Sequence, residues 1–421
     1  MPADRPSPRQ WREQLLAAIA PPRTVRTVPL EQARGLELAA PVHSPAPVPS
    51  APIAAMDGFA VRRADLTAPG ATTLPVASEL PARPGAVPEH VPGTATRIMT
   101  GALVPLGADA VVEVERSDSD PFGPAPSAVT LTLDALPPEN RHVRGIGEEV
   151  ADGQLLADAG DLVGAGLIGL ARTLGIQELA VRAPLRVAVV VTGDELADPA
   201  NEQAPEQAQV AGTVRESNGA MLAAALQADG ADVLPPRRGS DDPERLRTLL
   251  AEAAEDADLV ITTGGIGHGA FDVVKALLGE RGEGTSRFAH VALRPGGPQG
   301  YGHLPGGTPV IHLPGTPVGA LVGHHLFVRP LLVGERAAPR RVLLGDTSSE
   351  GSLRPGAVHA LAGRLRRDEA GREVVDLVPG RRLAPYGRAD ALVLLDGDAQ
   401  VGDGASADRL AHTALVIPLP A

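Results

Sequence analysis

The stretch at residues 258–278, DLVITTGGIGHGAFDVVKALL, constrains the fold more than any other part of the sequence. Its opening residues, DLVI, read as a short apolar, β-branched run, which is typical of a buried parallel strand. Gly264 and Gly265 then break the run, because adjacent glycines permit positive φ and let the backbone approach a ligand closely. Apolar residues return at helical spacing, so we expect a helix to begin near Ala270.

A strand, a glycine turn and a helix N-terminus place unpaired backbone N–H groups and the positive end of a helix dipole at one point, which suits an anion. Asp272 and Lys275, the only lysine in the sequence, lie in the same region. The alternative is an ordinary strand-to-helix turn with solvated charges, since the Rossmann and P-loop glycine patterns both fail here. This stretch alone leaves the two interpretations open.

The alternation of strands and helices extends over residues 184–330. Ser217 is a good N-cap for a helix that stops at Gly230, and Asp241 or Asp242 caps another that starts at Pro243. A last helix runs to about residue 328. Apolar runs predict the strands, at 186–191, 233–234, 258–261, 289–293 and 310–313. Strands that alternate with helices predict a parallel, doubly wound sheet.

The flanking segments have other patterns. Residues 8–20 predict an amphipathic helix whose apolar face carries Trp11, Leu15, Leu16 and Ile19, and residues 30–38 predict a second, short helix. A small β-rich domain is expected over 70–139, with strands at 110–114 and 129–133 and with Thr100 and Gly101 on a turn after Ile98. Helical patterning returns at 162–174. After Pro330 the strands and turns, including one at 402–404, predict a C-terminal β-barrel or sandwich.

Composition excludes several classes of function. A chain of 421 residues is expected to form two to four domains. The absence of cysteine excludes disulfides, thiolate zinc sites and iron–sulfur clusters. Aromatic residues make up 2% and the formal net charge is −13, which argues against a nucleic-acid partner. No signal pattern and no apolar run of roughly 20 residues occurs, so we expect a soluble, cytoplasmic protein without a membrane partner.

Carboxylates gather where strands of the predicted sheet end. Because the loops that leave the carboxyl ends of parallel strands line one edge of the sheet, five acidic side chains are expected to meet there. They are Asp194, Glu195, Asp241, Asp242 and Asp272. Such a group would repel itself without a cation, and carboxylates with phosphate oxygens suit Mg²⁺ better than zinc. Each of the last three could instead be a helix cap, which is the better interpretation for any one of them alone.

Eight motifs in order make the sequence similar to a known family, the molybdopterin molybdenumtransferases, which includes the E-domain of gephyrin. They are MDGFAVR (56–62), RIMTGALVPLGADAVVEVE (97–115), GEE (147–149), VTGDEL (191–196), SN (217–218), TGGIGHGAFDVVK (263–275), RPGGP (294–298) and LPGTPVGAL (313–321). The resemblance runs from about residue 10 to the C-terminus. It implies an α/β multidomain protein: a helical elongated linker region (1–45 and 140–183), an inserted β-rich domain (46–139), a parallel α/β molybdopterin-binding domain (184–330) and a C-terminal β-barrel (331–421).

The resemblance also implies an activity: insertion of molybdate into adenylylated molybdopterin, with Mg²⁺, to give molybdenum cofactor and AMP. The catalytic positions that it implies are Asp57 and Thr100 on the inserted domain, Glu149, and the metal-binding carboxylates Glu195, Asp242 and Asp272. The implied substrate-binding positions are Thr192, Gly193, Asp194, Thr263, Gly264, Gly265, Lys275, His290, Arg294, Pro314, Gly315 and Thr316. A homodimer is expected, in which Asp57 and Thr100 complete the site across the subunit interface. Molybdopterin adenylyltransferase and molybdoenzymes are possible further partners.

The sequence departs from the family pattern at several positions. Thr263 replaces a serine, and Thr316 and Gly319 replace an asparagine and a serine. Two lysines of the family correspond to His290 and Gly297, while Arg294 keeps a positive charge. If His290 faces the molybdate pocket, its charge titrates near pH 6.5 and molybdate affinity falls as the pH rises.

These departures leave two alternatives to the transferase. The first is a weakened paralogue that binds molybdopterin, or acts as a scaffold, without inserting metal. The second is a nucleotide-processing protein of the competence-damage type, which shares only the α/β domain with the family. The motifs at 56–62 and 97–115 argue against this alternative, because they belong to the inserted domain.

Overall fold

The computed structural model describes residues 5–196, 215–267, 272–345, 353–380, 382–397 and 413–420. The chain divides into two compact units. We call Val25–Ala183 the insert unit, and Met1–Thr24 together with Pro184–Ala421 the main unit. The first helix, α1 (Pro8–Ala18), belongs to the main unit, although the sequence assigned it to the linker region. Within the described residues, no helix is both long enough and apolar enough to cross a membrane.

The insert unit consists mainly of β-strands. They are β1 (Val25–Pro29), β2 (Glu37–Leu38), β3 (Val42–His43), β4 (Ile53–Ala54), β5 (Gly58–Val61), β6 (Gly70–Leu80), β7 (Ala95–Ile98), β8 (Ala110–Glu113), β9 (Ala128–Leu133), β10 (Val143–Arg144), β11 (Leu155–Ala157) and β12 (Glu178–Arg182), with helix α2 (Ala165–Thr173) before β12. Strands β8, β5, β7, β6 and β9 form one sheet in that order. Phe59, Val112 and Leu131 fill its core. The β-rich prediction for 70–139 is therefore confirmed, including the strands that became β8 and β9.

The helix predicted over 30–38 is wrong. Leu30–Gln32 forms one 3₁₀ turn, and the chain then enters β2. The amide groups of Leu30 and Leu38 donate to the carbonyls of Gln177 and Asp161, so both ends of this segment pair with distant parts of the chain and not along a helix. Gly35, at φ 76°, also breaks the helical path. The error arises because the periodicity of a short apolar run does not distinguish a helix from a buried strand.

The centre of the main unit is a mixed sheet with helices on both faces. Its strands are β13 (Arg186–Thr192), β14 (Asp232–Val233), β15 (Arg237–Gly239), β16 (Leu259–Thr263), β17 (Ser286–His290), β19 (Pro298–His303) and β20 (Pro309–Leu313), while β18 (Leu293–Arg294) pairs elsewhere. The helices are α3 (Asn218–Ala228), α4 (Pro243–Asp256), α5 (Val273–Leu278), α6 (Pro317–Gly323), a π-helical turn (His324–Val328) and α7 (Arg329–Val333).

Only part of this sheet is parallel. The strands lie in the order β14-β13-β16-β20-β19-β17, with β15 also on β13. Strands β13, β16 and β20 are parallel, as predicted. Strand β19 runs antiparallel to both of its neighbours, β20 and β17, which corrects the prediction of a wholly parallel sheet. Residues 304–308 join β19 to β20, and a turn this short permits only a hairpin.

The two faces of the sheet have separate cores. Alternate residues of β13 point to opposite faces, so Val189 packs with α1 and α3 while Val190 packs with α4 and α5. Trp11 and Leu15 of α1 are fully buried on the first face. Leu16 is 39% exposed, so its predicted place on the apolar face of α1 is wrong. A strand buried on both sides explains why β13 is apolar without alternation.

The main unit ends in a closed β-barrel. Its described strands are β21 (Arg340–Leu344), β22 (Val358–Arg367), β23 (Glu373–Leu377), β24 (Ala391–Asp396) and β25 (Thr413–Pro418). They pair in the order β22-β23-β21-β25-β24, and β24 pairs back to β22. The C-terminal domain is thus a β-barrel and not a sandwich, the other form that the sequence allowed. The turn predicted at 402–404 lies outside the described residues.

One buried ion-pair network connects α3, the π-helical turn, α7 and the barrel. The carboxylate of Asp229 accepts from His324 Nε2 at 2.9 Å and from Arg329 Nε at 2.8 Å, and its side chain is 2% exposed. Arg329 Nη1 also donates to the carbonyl of Pro418 at 2.8 Å.

Replacing Asp229 with alanine should lower the free energy of unfolding by about 3 kcal/mol, because Arg329 and His324 lose their buried partner. Chemical denaturation measures the change. The matched control is Glu13→Ala, which removes an exposed ion pair with Arg9 on α1 and should leave the midpoint nearly unchanged. An equal loss in the two variants would contradict the importance of the Asp229 network.

Candidate functional site

A cavity of about 650 Å³ opens in the main unit at the carboxyl ends of β13, β16 and β20. Four loops supply most of its lining. They contribute Val191–Gly193 with Glu195 and Leu196, then Arg215–Asn218, then Gly264–Gly267, and finally Pro314–Pro317; Asp241, Asp272, Gly296 and Pro298 complete it. This is the edge at which ligands bind in open α/β sheets, and the volume suits a small organic ligand.

Glycine lets the loops meet without side chains. Gly193 has φ 137° and Gly264 has φ 100°, conformations that other residues rarely adopt. A Cβ on Gly264 would lie 2.7 Å from the carbonyl oxygen of Thr192, and one on Gly315 would lie 3.2 Å from Gly264 Cα. The cavity wall here is therefore bare backbone, whose N–H groups are suited to phosphate oxygens. The predicted glycine turn after β16 is confirmed as part of a cavity.

A hydrogen-bonded group beneath the wall fixes these loops to one another. Thr263 is fully buried, and its Oγ1 donates to the carbonyl of Pro314 at 2.8 Å. The amide nitrogen of Asn218 donates to Thr263 Oγ1 at 2.9 Å and to the carbonyl of Gly315 at 2.8 Å. Thr192 Oγ1 reaches the carbonyl of Thr263 at 3.3 Å. All four loops are thus connected by side chains that the sequence places at the ends of separate elements.

Two of the three predicted metal ligands line the cavity. Asp272 immediately precedes α5, and its Oδ1 accepts from the amide of Gly267 at 2.8 Å. Glu195 is exposed, and its carboxylate lies over Gly193, where a Cβ would come within 2.7 Å of both oxygens. Two further carboxylates, Asp241 and Glu216, join them in the lining.

The other predicted carboxylates have different positions. Asp242 is the N-cap of α4, where its Oδ1 accepts from the amides of residues 244 and 245, and it is outside the cavity lining. The capping interpretation therefore holds for Asp242. Asp194 is exposed and also outside the lining; it exchanges backbone-to-carboxylate hydrogen bonds with Asp241 at 3.1 and 3.3 Å. Among the described residues, no three His, Asp or Glu side chains are arranged to hold a metal ion together.

The predicted cations are not in the lining either. Lys275 is on α5, and its Nζ reaches the carbonyl of Gly267 at 3.3 Å. His290 ends β17 with its ring against Gly297, where a Cβ would lie 2.6 Å from Nε2. Arg294 is exposed on β18, which pairs with the barrel strand β22.

In the part of the lining that the structure describes, the cation is Arg215, which sequence reasoning missed. It is exposed, and within the described part of the chain it has no hydrogen bond or ion pair. Asn218 was missed as well. The signal that could have found both was the SN motif at 217–218, since residues at a helix start beside a predicted strand edge are placed to meet a ligand.

The remaining predicted residues lie in the insert unit. Thr100 donates to Asp57 Oδ1 from its amide at 2.6 Å and from its hydroxyl at 2.7 Å, and these bonds lower the pKa of Asp57. Both residues are exposed, as is Glu149. Glu113, which is paired with Gly58 across β8 and β5, was not predicted. Burial raises its pKa, but hydrogen bonds from Arg141 and His142 outweigh burial and lower it to about 2.

Comparison with known proteins covers both units. A family profile described as "MoeA N-terminal region (domain I and II)" matches residues 7–175, and one described as "Probable molybdopterin binding domain" matches residues 188–333. A crystal structure of a molybdopterin biosynthesis MoeA protein from Pyrococcus horikoshii OT3 superimposes with a TM-score of 0.77 at 21% identity, covering 99% of this chain and 100% of that chain. At that identity the likeness concerns the fold alone.

Two curated relatives from Mycobacterium tuberculosis (strain ATCC 25618 / H37Rv) carry more weight. Molybdopterin molybdenumtransferase 2 is 42% identical over 315 residues, which cover 73% of this chain and 74% of that protein. Molybdopterin molybdenumtransferase 1 is 31% identical over 417 residues, covering 91% and 93%. The bare glycine turns, the carboxylates and the ordered motifs agree with these matches. The chain belongs to the molybdopterin molybdenumtransferase (MoeA) family.

Proposed function

We propose that this protein inserts molybdate into adenylylated molybdopterin and releases AMP, acting as a transferase in molybdenum cofactor biosynthesis. The observation that carries the proposal is the cavity at the carboxyl edge of the main unit, in which bare glycine turns lie beside carboxylates and the guanidinium of Arg215. The names of the relatives, molybdopterin molybdenumtransferases, agree with it. Membership of the family does not by itself specify that the substrate is adenylylated. That part of the proposal rests on the backbone turns and charged side chains of the cavity.

The backbone of the glycine turns is suited to the phosphate groups of the substrate. At Gly264 and Gly315 the two loops approach closely without side chains. The N–H group of Gly264 donates to the carbonyl of Leu313 at 3.1 Å, so the N–H groups proposed to meet the phosphate oxygens are those of Gly265 and Gly315. Such contacts orient the phosphoanhydride and require no charged side chain. Thr263 and Asn218 hold the two turns at a fixed spacing from below. The main unit thereby positions the bond that must break for AMP to leave.

The charge of the lining explains the need for a cation. Among the described residues, four carboxylates and one guanidinium border the cavity, whereas the proposed substrates are polyanions. The donor set fits Mg²⁺, which binds through one or two carboxylates together with phosphate oxygens. Glu195 and Asp272 are the residues that would hold it, and Asp242 stays a predicted further ligand. When bound, Mg²⁺ would neutralise the developing charge on the leaving phosphate.

The test of the function is release of AMP from adenylylated molybdopterin by the purified protein in the presence of Mg²⁺ and molybdate. We expect AMP release that depends on molybdate and a product that activates an apo-molybdoenzyme. Stoichiometric binding of the substrate without AMP release would instead support the weakened paralogue. One observation favours that second candidate: His290 and Arg294, which the sequence offered as the remaining cations, do not line the cavity.

Replacing Glu195 or Asp272 with alanine should abolish Mg²⁺-dependent AMP release and change the free energy of unfolding little, because neither carboxylate caps a helix. Asp242→Ala is the structural comparison and should cost about 1 kcal/mol of stability, since two amide groups of α4 lose their acceptor. AMP assays and thermal melting on the three variants measure both effects. A large loss of melting temperature in Glu195→Ala would contradict its assignment.

Arg215→Gln should weaken binding of adenylylated molybdopterin about tenfold and reduce the dependence of affinity on salt, because a charge-assisted contact to a phosphate is lost. The matched control is Arg238→Gln on the same edge of the sheet, where the arginine is exposed and outside the lining. Titrations at low and moderate salt measure both. Equal losses of affinity in the two variants would show that Arg215 acts only through the overall electrostatic field of the protein and makes no direct contact with the substrate.

We also infer that the protein forms a homodimer, as the resemblance to its family implies. Multi-angle light scattering at micromolar concentration should give twice the 43.1 kDa mass of the chain. A monomer that releases AMP at the full rate would remove the dimer from the proposal without affecting the cavity.

A further inference from the structure

Asp272 and Lys275 bind the two polar groups of a single backbone residue. The carboxylate of Asp272 accepts from the amide of Gly267 at 2.8 Å, and the ammonium of Lys275 donates to the carbonyl of Gly267 at 3.3 Å. Gly267 and Asp272 belong to the cavity lining, whereas Lys275 is on α5 and outside the lining. One residue of the wall is therefore held by two side chains that are three positions apart.

The turn before Gly267 has anchors of its own. The side chain of Ile266 is buried and packs in the core that contains Val274. The amide of Lys275 also donates to the carbonyl of Gly265 at 3.0 Å. Gly267 comes after these anchors and has no side chain to pack, so its position depends on the bonds from Asp272 and Lys275.

The direction of the Asp272 carboxylate depends in turn on Gly267. A Cβ at Gly267 would lie 3.3 Å from Asp272 Oδ1 and 3.4 Å from Oδ2, so both oxygens lie over this glycine. Asp272 precedes α5 but its side chain does not cap the helix. The hydrogen bond from Gly267 therefore orients the carboxylate, and a shift of Gly267 would move it. Lys275 thus acts on Asp272 through the backbone of Gly267.

We propose that Lys275 is a positioning residue for the divalent cation: its ammonium fixes Gly267, and Gly267 holds the Asp272 carboxylate in the direction that binds the ion. The inference rests on the proposed function and deepens it. It also replaces the substrate contact that the resemblance implied for Lys275. Mg²⁺ requires nearly ideal ligand geometry, and groups that orient its ligands commonly change the affinity of a metal site by 10–100-fold.

The first experiment compares Lys275→Met, which removes the ammonium and keeps an unbranched stem, with the wild type. Mn²⁺, which accepts the same oxygen ligands as Mg²⁺, is titrated into the free protein and followed by electron paramagnetic resonance. We expect about tenfold weaker binding in the variant. Hydrogen–deuterium exchange at Gly267 should become faster while the melting temperature changes little. The matched control is Arg238→Gln, which removes one positive charge from the same edge of the sheet outside the lining and should leave Mn²⁺ affinity nearly unchanged.

A chemical rescue separates the ammonium from the rest of the side chain. The sequence contains no cysteine, so Lys275→Cys has a single thiol. Its thiolate displaces bromide from 2-bromoethylamine, and the product has the length and the ammonium of lysine. This alkylated protein should recover Mn²⁺ affinity and slow exchange at Gly267, whereas the unmodified variant should not. The same pair of proteins gives the comparison if Lys275→Met does not fold.

A double variant tests whether Lys275 acts through Asp272. Asp272→Asn combined with Lys275→Met should bind Mn²⁺ no more weakly than Asp272→Asn alone, because the two residues serve one ligand. Full additivity of the two losses would overturn the proposal. The proposal would also be overturned if the wild type bound no Mn²⁺, if Lys275→Met bound it normally, or if Arg238→Gln lost as much affinity.

These measurements contain no substrate, so they are independent of the proposed function. AMP release by a protein whose Mn²⁺ affinity ignores Lys275 would leave the transferase standing and remove the positioning role. An Mn²⁺ site that depends on Lys275, in a protein that never releases AMP, would do the reverse.

Discussion

The site depends on the close approach of two backbones where β13 and β16 end side by side. Gly264 passes so near the carbonyl of Thr192 that a Cβ there would lie 2.7 Å from its oxygen. This approach brings the loop after β13, with Glu195, beside the loop after β16, with Asp272. Gly315 then closes against Gly264 from the third strand. Any side chain at Gly264 would separate the loops, and the cavity would lose the bare wall that suits phosphate.

Buried hydrogen bonds convert this approach into a rigid arrangement. Thr263, Asn218 and Pro314 form one connected group under the wall, and its members come from β16, α3 and the loop after β20. A second buried group around Asp229 attaches the far end of α3 to the π-helical turn and to the barrel strand β25. Helix α3 is therefore fixed at both ends. Its N-terminal end faces the cavity, so rigidity of the helix translates into a fixed position for Asn218.

Sequence reasoning predicted what depends on local pattern. The strands β13, β16 and β20 and the turn at Gly264 follow from apolar runs ended by glycine, and Glu195 and Asp272 follow from their places just beyond strand ends. It failed where tertiary pairing decides, as in the segment at 30–38 and in the antiparallel strand β19, whose sequence PQGYGH carries little apolar signal. Spacing correctly offered Asp241 or Asp242 as the cap of a helix starting at Pro243, but it could not tell that Arg215 and not His290 reaches the cavity. Those outcomes depend on the direction of side chains across a sheet edge.

The most direct measurement is a crystal structure of the protein with adenylylated molybdopterin and Mg²⁺. We expect the phosphates within hydrogen-bond distance of the N–H groups of Gly265 and Gly315, and the metal between the phosphates and the carboxylates of Glu195 and Asp272. Substrate bound away from the carboxyl ends of β13, β16 and β20, with this cavity empty, would contradict the assignment of the site.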